Sequence, residues 1–204
     1  MRIGIFGTGG MADALGTQWA RAGHELVVSG RDRAKADALA KQFGARSGTW
    51  REAADFGEAI LLALPADRVP DVLAEVGPLA GKVLVDCTNQ PGPTGTEPPP
   101  GTPVAARIAA LKPEAHVVKA FNLAPTEVWR MTPPVFGGRP LSVPLCGDDP
   151  GALEAVRTLV RDIGATPVDG GGLERAALLE ATAALVIGLW FGGQDAQAIL
   201  APME

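Results

Sequence analysis

Short apolar runs alternate along most of the chain with longer stretches whose apolar residues recur at helical spacing. Runs rich in Val, Ile and Leu are typical of strands that are buried on both faces of a sheet. The runs are Ile3–Phe6, Glu25–Val28, Ala59–Leu64, Lys82–Asp86, Val117–Phe121, Leu141–Cys146 and Thr166–Val168. The helical stretches are Gly10–Arg21, Arg33–Phe43, Val69–Val76, Pro103–Leu111 and Pro150–Ile163. This alternation predicts an α/β fold with a doubly wound, mostly parallel sheet.

Two further segments complete the organisation of the chain. Leu173–Phe191 is long and largely apolar, and its register Leu178, Ala181, Leu185, Leu189 predicts a helix that is buried or lies at an interface. Gln90–Pro103 holds six prolines and three glycines, which predicts a surface loop. We expect one domain over residues 1–204, with a core at 1–140 and a C-terminal βαβ-α extension at 141–204.

Composition narrows the class of protein. With 204 residues, 47% of them hydrophobic and 20% charged, the chain has the profile of a globular protein, and its net charge of -5 gives no reason to expect a nucleic-acid or anionic-membrane surface. No segment reaches the roughly 18 apolar residues of a membrane span. Two cysteines in apolar runs and a start without a signal-peptide pattern predict a cytoplasmic protein. Two histidines and two cysteines lie scattered, so no metal site is expected.

A glycine-rich loop follows the first predicted strand. It reads Gly7-Thr8-Gly9-Gly10-Met11-Ala12, which is G-x-G-x-x-A at the opening of a helix. Gly7 permits a tight turn, Gly9 lets the backbone approach a pyrophosphate, and Ala12 lets the helix pack close to the strand. The helix N-terminus then offers free N–H groups to phosphates. The loop therefore predicts a dinucleotide site; the alternative is a tight turn in a fold that binds no ligand.

The end of the second strand bears on the choice of dinucleotide. Sites for NAD place an acidic residue there to hold the ribose 2′-OH, but this chain has Ser29, followed by Gly30. Arg31, Arg33 and Lys35 offer up to three positive charges to a 2′-phosphate. We therefore predict NADPH as the cofactor. The alternative is a solvated helix start with ordinary surface charge.

Few acid–base groups are available at the predicted site. The chain has no tyrosine, which excludes a Tyr-Lys proton relay, and His24 and His116 precede strands, at the end of the sheet opposite the site. Lys119 interrupts an apolar strand. It either contacts a cofactor or donates a proton, or it is a structural lysine that reaches solvent at the strand end or forms an ion pair. Cys87 has no histidine placed to activate it, so a structural thiol is expected.

The loops at the carboxyl ends of the strands are small and mostly uncharged. They supply the expected nicotinamide and acceptor walls: Leu64-Pro65, Cys87-Thr88-Asn89 and Asn122-Leu123-Ala124-Pro125. Such walls suit direct hydride transfer between two flat rings, which needs stacking and exclusion of water more than a protein acid.

The chain resembles the NADPH-dependent coenzyme F420 (deazaflavin) reductase family, relatives of the cytosolic domain of the STEAP metalloreductases. The matching pieces run in family order over nearly the whole chain: Met1–Met11, Gly30-Arg31 with Lys35, Leu64-Pro65, Lys119-Ala120-Phe121-Asn122, Val143–Asp149, and Val168–Gly171 leading to Leu179-Glu180. The resemblance implies an eight-stranded Rossmann-like fold and hydride exchange between NADPH and a deazaflavin or flavin. It also implies a homodimer built partly from the C-terminal helix.

The resemblance also implies roles for single residues. The pyrophosphate would touch Thr8, Gly9, Gly10 and Met11, and the 2′-phosphate would lie at Gly30-Arg31 and Lys35. The nicotinamide pocket would be lined by Leu64, Pro65, Cys87 and Thr88, with Asn122 and Pro125 between the two cofactors. The chain departs from the family in two places. It reads Ser29-Gly30-Arg31 where members commonly have Gly-Ser-Arg, and Asn122 stands where deazaflavin reductases can carry histidine.

Three functions are consistent with these features. The first is an NADPH:deazaflavin oxidoreductase that acts on coenzyme F420. The second is an NADPH-dependent reductase of a flavin such as FMN or FAD, of ferric iron, or of a small C=N or C=O substrate. The third is a non-catalytic NADPH-binding sensor or partner subunit.

Overall fold

The computed structural model describes residues 1–90 and 101–196. The strands are β1 (Arg2–Phe6), β2 (Glu25–Ser29), β3 (Arg46–Ser47), β4 (Ala59–Leu62), β5 (Val83–Asp86), β6 (His116–Lys119), β7 (Val135–Phe136), β8 (Arg139–Pro140), β9 (Ser142–Gly147) and β10 (Thr166–Asp169). The α-helices are α1 (Gly10–Arg21), α2 (Arg33–Gln42), α3 (Trp50–Phe56), α4 (Val69–Glu75), α5 (Val104–Leu111), α6 (Thr126–Trp129), α7 (Pro150–Asp162) and α8 (Ala176–Phe191). A 3₁₀ turn, Leu173–Arg175, precedes α8.

Eight strands form one sheet in the order β10-β9-β6-β5-β4-β1-β2-β3. The strands from β3 to β6 in that order are parallel, whereas β9 runs antiparallel to β6 and β10 runs parallel to β9. The predicted doubly wound, mostly parallel sheet is thereby confirmed. The carboxyl ends of β1, β4, β5 and β6 meet at one edge, where an open parallel sheet binds its ligands.

Helices cover both faces of the sheet because its central strands are apolar on both sides. All four residues of β4 are buried. One apolar cluster joins the sheet to α1, α2, α6 and α7, and a second joins it to α3, α4, α5 and α8. The first cluster includes a chain of edge-to-face aromatic rings, in which Phe121 lies between Trp19 and Trp129 at centroid distances of 5.8 and 5.4 Å. These rings hold the segment that follows β6.

The segment after β6 differs from the prediction. A strand was expected through Phe121, but β6 ends at Lys119 and Phe121 adopts a φ of 62°. This left-handed conformation turns the chain while the ring stays in the aromatic cluster, and Asn122 follows at the edge of the sheet. The predicted proline-rich loop falls mainly on residues 91–100, which lie outside the described residues.

Of the two alternatives predicted for the apolar helix, burial or a place at an interface, α8 excludes burial of the predicted face. The predicted face of Leu178 and Leu185 is not buried, because each of these side chains is 55% exposed. The buried positions include Ala176, Glu180 and Ala183 instead. The inward face consists mostly of small residues because the helix packs close to α5 and the 3₁₀ turn. In the described part of the chain, no helix has the length and apolar character needed to cross a membrane.

Candidate active site

A cleft of about 300 Å³ lies at the carboxyl ends of β1, β4, β5 and β6. It is lined by Gly9, Gly10, Met11, Ala63, Leu64, Pro65, Cys87, Thr88, Asn89, Phe121, Asn122 and Ala124. The structure therefore brings together most of the loops that the sequence singles out. Pro125 is not among these lining residues; it immediately precedes α6.

The glycine-rich loop makes one edge of the cleft. Gly7 has a φ of 123°, its N–H donates to the Ser29 carbonyl at 2.9 Å, and a Cβ there would collide with the Ala63 carbonyl oxygen. Gly9 differs, because a Cβ at this position would meet nothing within 4 Å. Gly9 precedes α1 and provides no side-chain cap, so the space above it adjoins the open amino end of a helix. This combination fits a phosphate group.

The basic residues after β2 are not equivalent. Arg33 pairs with Asp37 at 2.9 Å, and Lys35 lies 3.9 Å from Asp32, so both charges are partly neutralised. Arg31 is exposed and forms no ion pair among the residues that the structure describes. Of the three cations, Arg31 is therefore the one whose charge is free to meet an anion.

Ser29 and Gly30 shape the backbone beside Thr8. The Ser29 side chain is buried, whereas Gly30 lies so close to the loop that an added Cβ would be 2.7 Å from Thr8 Cγ2. Ser29 thus contributes its carbonyl, which accepts from the Gly7 amide, and not an open hydroxyl. The structure favours Thr8 and Arg31 over Ser29 for contact with a ligand bound beside the glycine-rich loop.

Two amide side chains pair at the opposite wall. Asn122 Nδ2 donates to Asn89 Oδ1 at 3.0 Å and to the Leu179 carbonyl at 3.2 Å, while Asn89 Nδ2 donates to the Asn122 carbonyl at 2.8 Å. These two acceptors fix the orientation of the Asn122 amide. Its Oδ1 is buried and has no hydrogen-bond partner within residues 1–90 and 101–196.

Lys119 is completely buried at the end of β6, beneath the cleft and not in its lining. Its Nζ lies 2.9 Å from Asp86 Oδ2 and 3.0 Å from Glu180 Oε1, and it also donates to the Thr88 carbonyl. Three acceptors therefore surround the three ammonium protons. We call Asp86, Lys119 and Glu180 the lysine network. The geometry favours the structural ion pair over contact between Lys119 and a substrate.

Asp86 and Glu180 were not predicted as site residues from the sequence. The signal for Asp86 was a carboxylate at the end of an apolar strand, and the signal for Glu180 was the lone acid within an apolar helix. Neither feature of the sequence shows which residue pairs with the carboxylate. Asp86 meets Lys119 because β5 and β6 are neighbours in register.

Cys87 lines the cleft as a thiol. Burial raises its pKa to about 12, the neighbouring Asp86 carboxylate adds to the rise, and its Sγ donates to the Leu62 carbonyl at 3.4 Å. Nucleophilic chemistry by Cys87 at neutral pH is therefore disfavoured, in agreement with the sequence interpretation. His24 pairs with Asp162, and His116 lies 3.8 Å from Asp149; neither histidine lines the cleft.

The cleft fits a dinucleotide phosphate better than a free carbonyl substrate. It joins a cradle open above Gly9 to a pocket wall in which Asn122 Oδ1 has no partner among the described residues. The fold and this cleft are those of a Rossmann-like protein that binds a dinucleotide.

Residues 2–90 match the model of a family described as NADP oxidoreductase, coenzyme F420-dependent. The chain is 28% identical to the F420-dependent NADP reductase of Methanocaldococcus jannaschii, over 93% of this chain and 92% of the relative. It is 31% identical to Metalloreductase STEAP3 of Rattus norvegicus, over 93% of this chain but only 38% of that protein. The chain is thus a relative of the coenzyme F420-dependent NADP oxidoreductases, and the predicted resemblance is confirmed.

Solved structures agree with this assignment. A candidate F420-dependent NADP-reductase from Arthrobacter sp. FB24 superimposes with a TM-score of 0.82 at 26% identity, covering 94% of this chain and 95% of that one. A reductive aminase from Aspergillus terreus in complex with NADPH and ethyl levulinate gives 0.71 at 25% identity, covering 94% of this chain and 62% of that one.

Proposed function

We propose that this protein transfers a hydride between NADPH and a deazaflavin such as coenzyme F420, or a flavin-like ring. The observation that carries the proposal is that the described residues lining the cleft include no side chain able to exchange a proton at neutral pH: Lys119 is buried outside the cleft and the Cys87 thiol has a pKa of about 12. Transfer between two stacked rings needs no protein acid, because water can supply the proton that completes reduction.

The residues of the chain would divide the binding task. The loop from Gly7 to Met11 and the start of α1 would hold the pyrophosphate, and Arg31 would pair with the 2′-phosphate. Leu64, Pro65 and Thr88 would exclude water around the nicotinamide, with Asn122 on its far side. When bound, NADPH supplies the hydride; the protein contributes the alignment of the two rings.

One set of assays tests this function. The purified protein is mixed with NADPH or NADH and with coenzyme F420, FMN or a ferric chelate as acceptor. We expect NADPH-dependent bleaching of the oxidised deazaflavin band. No bleaching at micromolar protein would refute the proposed acceptor.

A second candidate is the reduction of small C=N or C=O substrates. The similarity to the A. terreus reductive aminase favours it, although this chain spans only 62% of that protein. Such a reaction needs a proton donor near the substrate, which the described cleft does not offer. NADPH oxidation with a panel of imines and ketones, but not with F420, would select this candidate.

Substituting Arg31 tests the proposed NADPH preference. A charge-assisted bond to phosphate is worth about 1.5–3 kcal/mol, so Arg31→Ala should raise the Kd for NADPH at least about tenfold and leave that for NADH nearly unchanged. Fluorescence titration measures both. Arg139→Ala, an exposed arginine on β8, is the matched control. An unchanged NADPH/NADH ratio in Arg31→Ala would exclude this role.

We also propose that a second copy of the chain covers the outer face of α8. Leu178 and Leu185 are exposed there two turns apart, and Trp190 and Phe191 are exposed at the C-terminal end of the helix, where Phe191 is 81% exposed. Exposed apolar side chains clustered on one helix are typical of an interface. Light scattering coupled to size exclusion should give a dimer mass, and Leu185→Glu should convert it to a monomer. A monomeric wild type at micromolar concentration would refute this.

A further inference from the structure

The lysine network ties three parts of the molecule together beneath the cleft. Lys119 ends β6, Asp86 ends β5, and Glu180 reaches in from α8. All three side chains are at most 2% exposed. Burying charge costs free energy unless it is paired and hydrogen-bonded, so the arrangement holds each partner to a narrow geometry.

Asp86 and Lys119 together fix Thr88 in the wall of the cleft. Asp86 Oδ1 accepts from Thr88 N at 2.9 Å and from Thr88 Oγ1 at 2.7 Å, and the Thr88 carbonyl accepts from Lys119 Nζ. The amide, hydroxyl and carbonyl of Thr88 are therefore all engaged by the network. Asn89, the next residue, then pairs with Asn122 across the wall.

Glu180 extends the network to the start of α5. Its Oε2 accepts from Val104 N at 2.9 Å and its Oε1 from Ala105 N at 3.2 Å, while Oε1 also faces Lys119. The residue before the helix, Pro103, supplies no side-chain cap, so Glu180 caps α5 from another helix. The network thus connects the place where the chain enters α5 to the wall of the cleft.

We propose that Lys119, Asp86 and Glu180 are positioning residues, which act through Thr88 to hold the nicotinamide wall in register for hydride transfer. Lys119 itself donates no proton to a substrate, because its three protons already have acceptors and none of its surface is exposed. The inference rests on the proposed function for its kinetic consequence, but the bonds that it invokes exist in the ligand-free protein.

The structural part is tested first, without any acceptor. Glu180→Gln keeps the size of the side chain but leaves only one oxygen for Lys119 and the two α5 amides. We expect amide hydrogen exchange at Val104, Ala105 and Thr88 to accelerate at least about tenfold in Glu180→Gln. Asp149→Asn is the control, because Asp149 caps α7 through Ala152 N at 2.7 Å and is remote from Thr88. Unchanged exchange at Thr88 in Glu180→Gln would overturn the proposal.

The kinetic part uses NADPH with coenzyme F420. Misplacement of reacting rings by about 1 Å can cost about 100-fold in rate. Glu180→Gln and Lys119→Met should therefore lower kcat at least about tenfold, while the Kd for NADPH changes less than about threefold, because the phosphate contacts remain. If folded Glu180→Gln has a normal kcat while Lys119→Met is inactive, the positioning role proposed for the network is wrong and Lys119 acts directly in the reaction.

The proposed acceptor and the proposed role of the lysine network can be refuted independently. If wild-type protein does not reduce F420, the proposed acceptor is wrong, and the exchange measurement still decides whether the network holds Thr88. If Lys119→Met does not fold, Glu180→Gln carries both measurements, since it weakens the contact that holds Lys119 Nζ against the Thr88 carbonyl without removing the lysine.

Discussion

Alanine substitutions at Gly7 and Gly9 should separate folding from cofactor binding within one short loop. At Gly7 the backbone has a φ of 123°, and an added Cβ would collide with the Ala63 carbonyl oxygen and lie 2.9 Å from its carbon. The strained backbone costs about 1–3 kcal/mol and the overpacking about another 1–3 kcal/mol. Gly7→Ala should therefore lose about 2–6 kcal/mol of unfolding free energy.

Gly9→Ala should behave in the opposite way. Gly9 has an ordinary φ of -87°, and the space around an added Cβ is open to 4 Å. The smaller entropy of the unfolded chain favours alanine, whereas the preference for glycine before a helix opposes it, so stability should stay within about 0.5 kcal/mol. The methyl group would occupy the proposed pyrophosphate position and raise the Kd for NADPH at least about tenfold, or about 1.4 kcal/mol.

Thermal unfolding and NADPH fluorescence titration measure the two effects. For a chain of this length 1 kcal/mol shifts Tm by about 2–4 °C, so Gly7→Ala should lower Tm by at least about 4 °C and Gly9→Ala by no more than about 2 °C. Wild-type NADPH affinity in Gly9→Ala would refute the placement of the pyrophosphate. Wild-type stability in Gly7→Ala would refute the close approach to Ala63.

Two further predictions concern titrating groups. Burial raises the pKa of both Cys87 and Cys146. A thiol reagent at pH 8 should therefore label the native protein very slowly and the guanidinium-unfolded protein at once. Fast labelling of the native protein would contradict the burial of the two thiols. Hydrogen bonds from backbone amides hold the pKa of Glu52, Glu58 and Glu114 below the ordinary 4.5. The stability that these ionised carboxylates add is therefore present at neutral pH and is lost as pH falls below about 4.5. Urea unfolding at pH 7, 5 and 3 should show the loss mainly between 5 and 3, and equal stability at pH 3 and 7 would exclude it.

The glycine-rich loop was predictable because its chemistry is local: strand, turn and helix follow one another within a dozen residues. The charge distribution after β2 was only partly recognised. The spacing of Arg33 and Asp37 already allows an i,i+4 ion pair, and the structure forms it. Among the described residues, Arg31 is then the cation after β2 that has no ion pair. A count of positive charges alone overstates the number available to a phosphate.

The lysine network could not be derived from sequence alone. Pairing of Asp86 with Lys119 depends on β5 and β6 being neighbours, and Glu180 reaches them only because β9 reverses direction and α8 returns beneath the cleft. The face of α8 was equally undetermined, because a helix that is apolar all round carries no periodic signal. The end of β6 depended on aromatic packing around Phe121, which adjacent residues do not encode.

The outermost strand, β10, is poorly suited to pair with an additional strand at its open edge. Thr166 N–H and Gly170 N–H point inward to β9, so the nitrogen of Pro167 faces the open edge, where it has no hydrogen to donate. At the other edge β3 has only two residues. Neither edge offers a template for strand addition, which protects the folded protein against edge-to-edge aggregation. A partner that added a strand to the eight-stranded sheet would therefore gain few backbone hydrogen bonds.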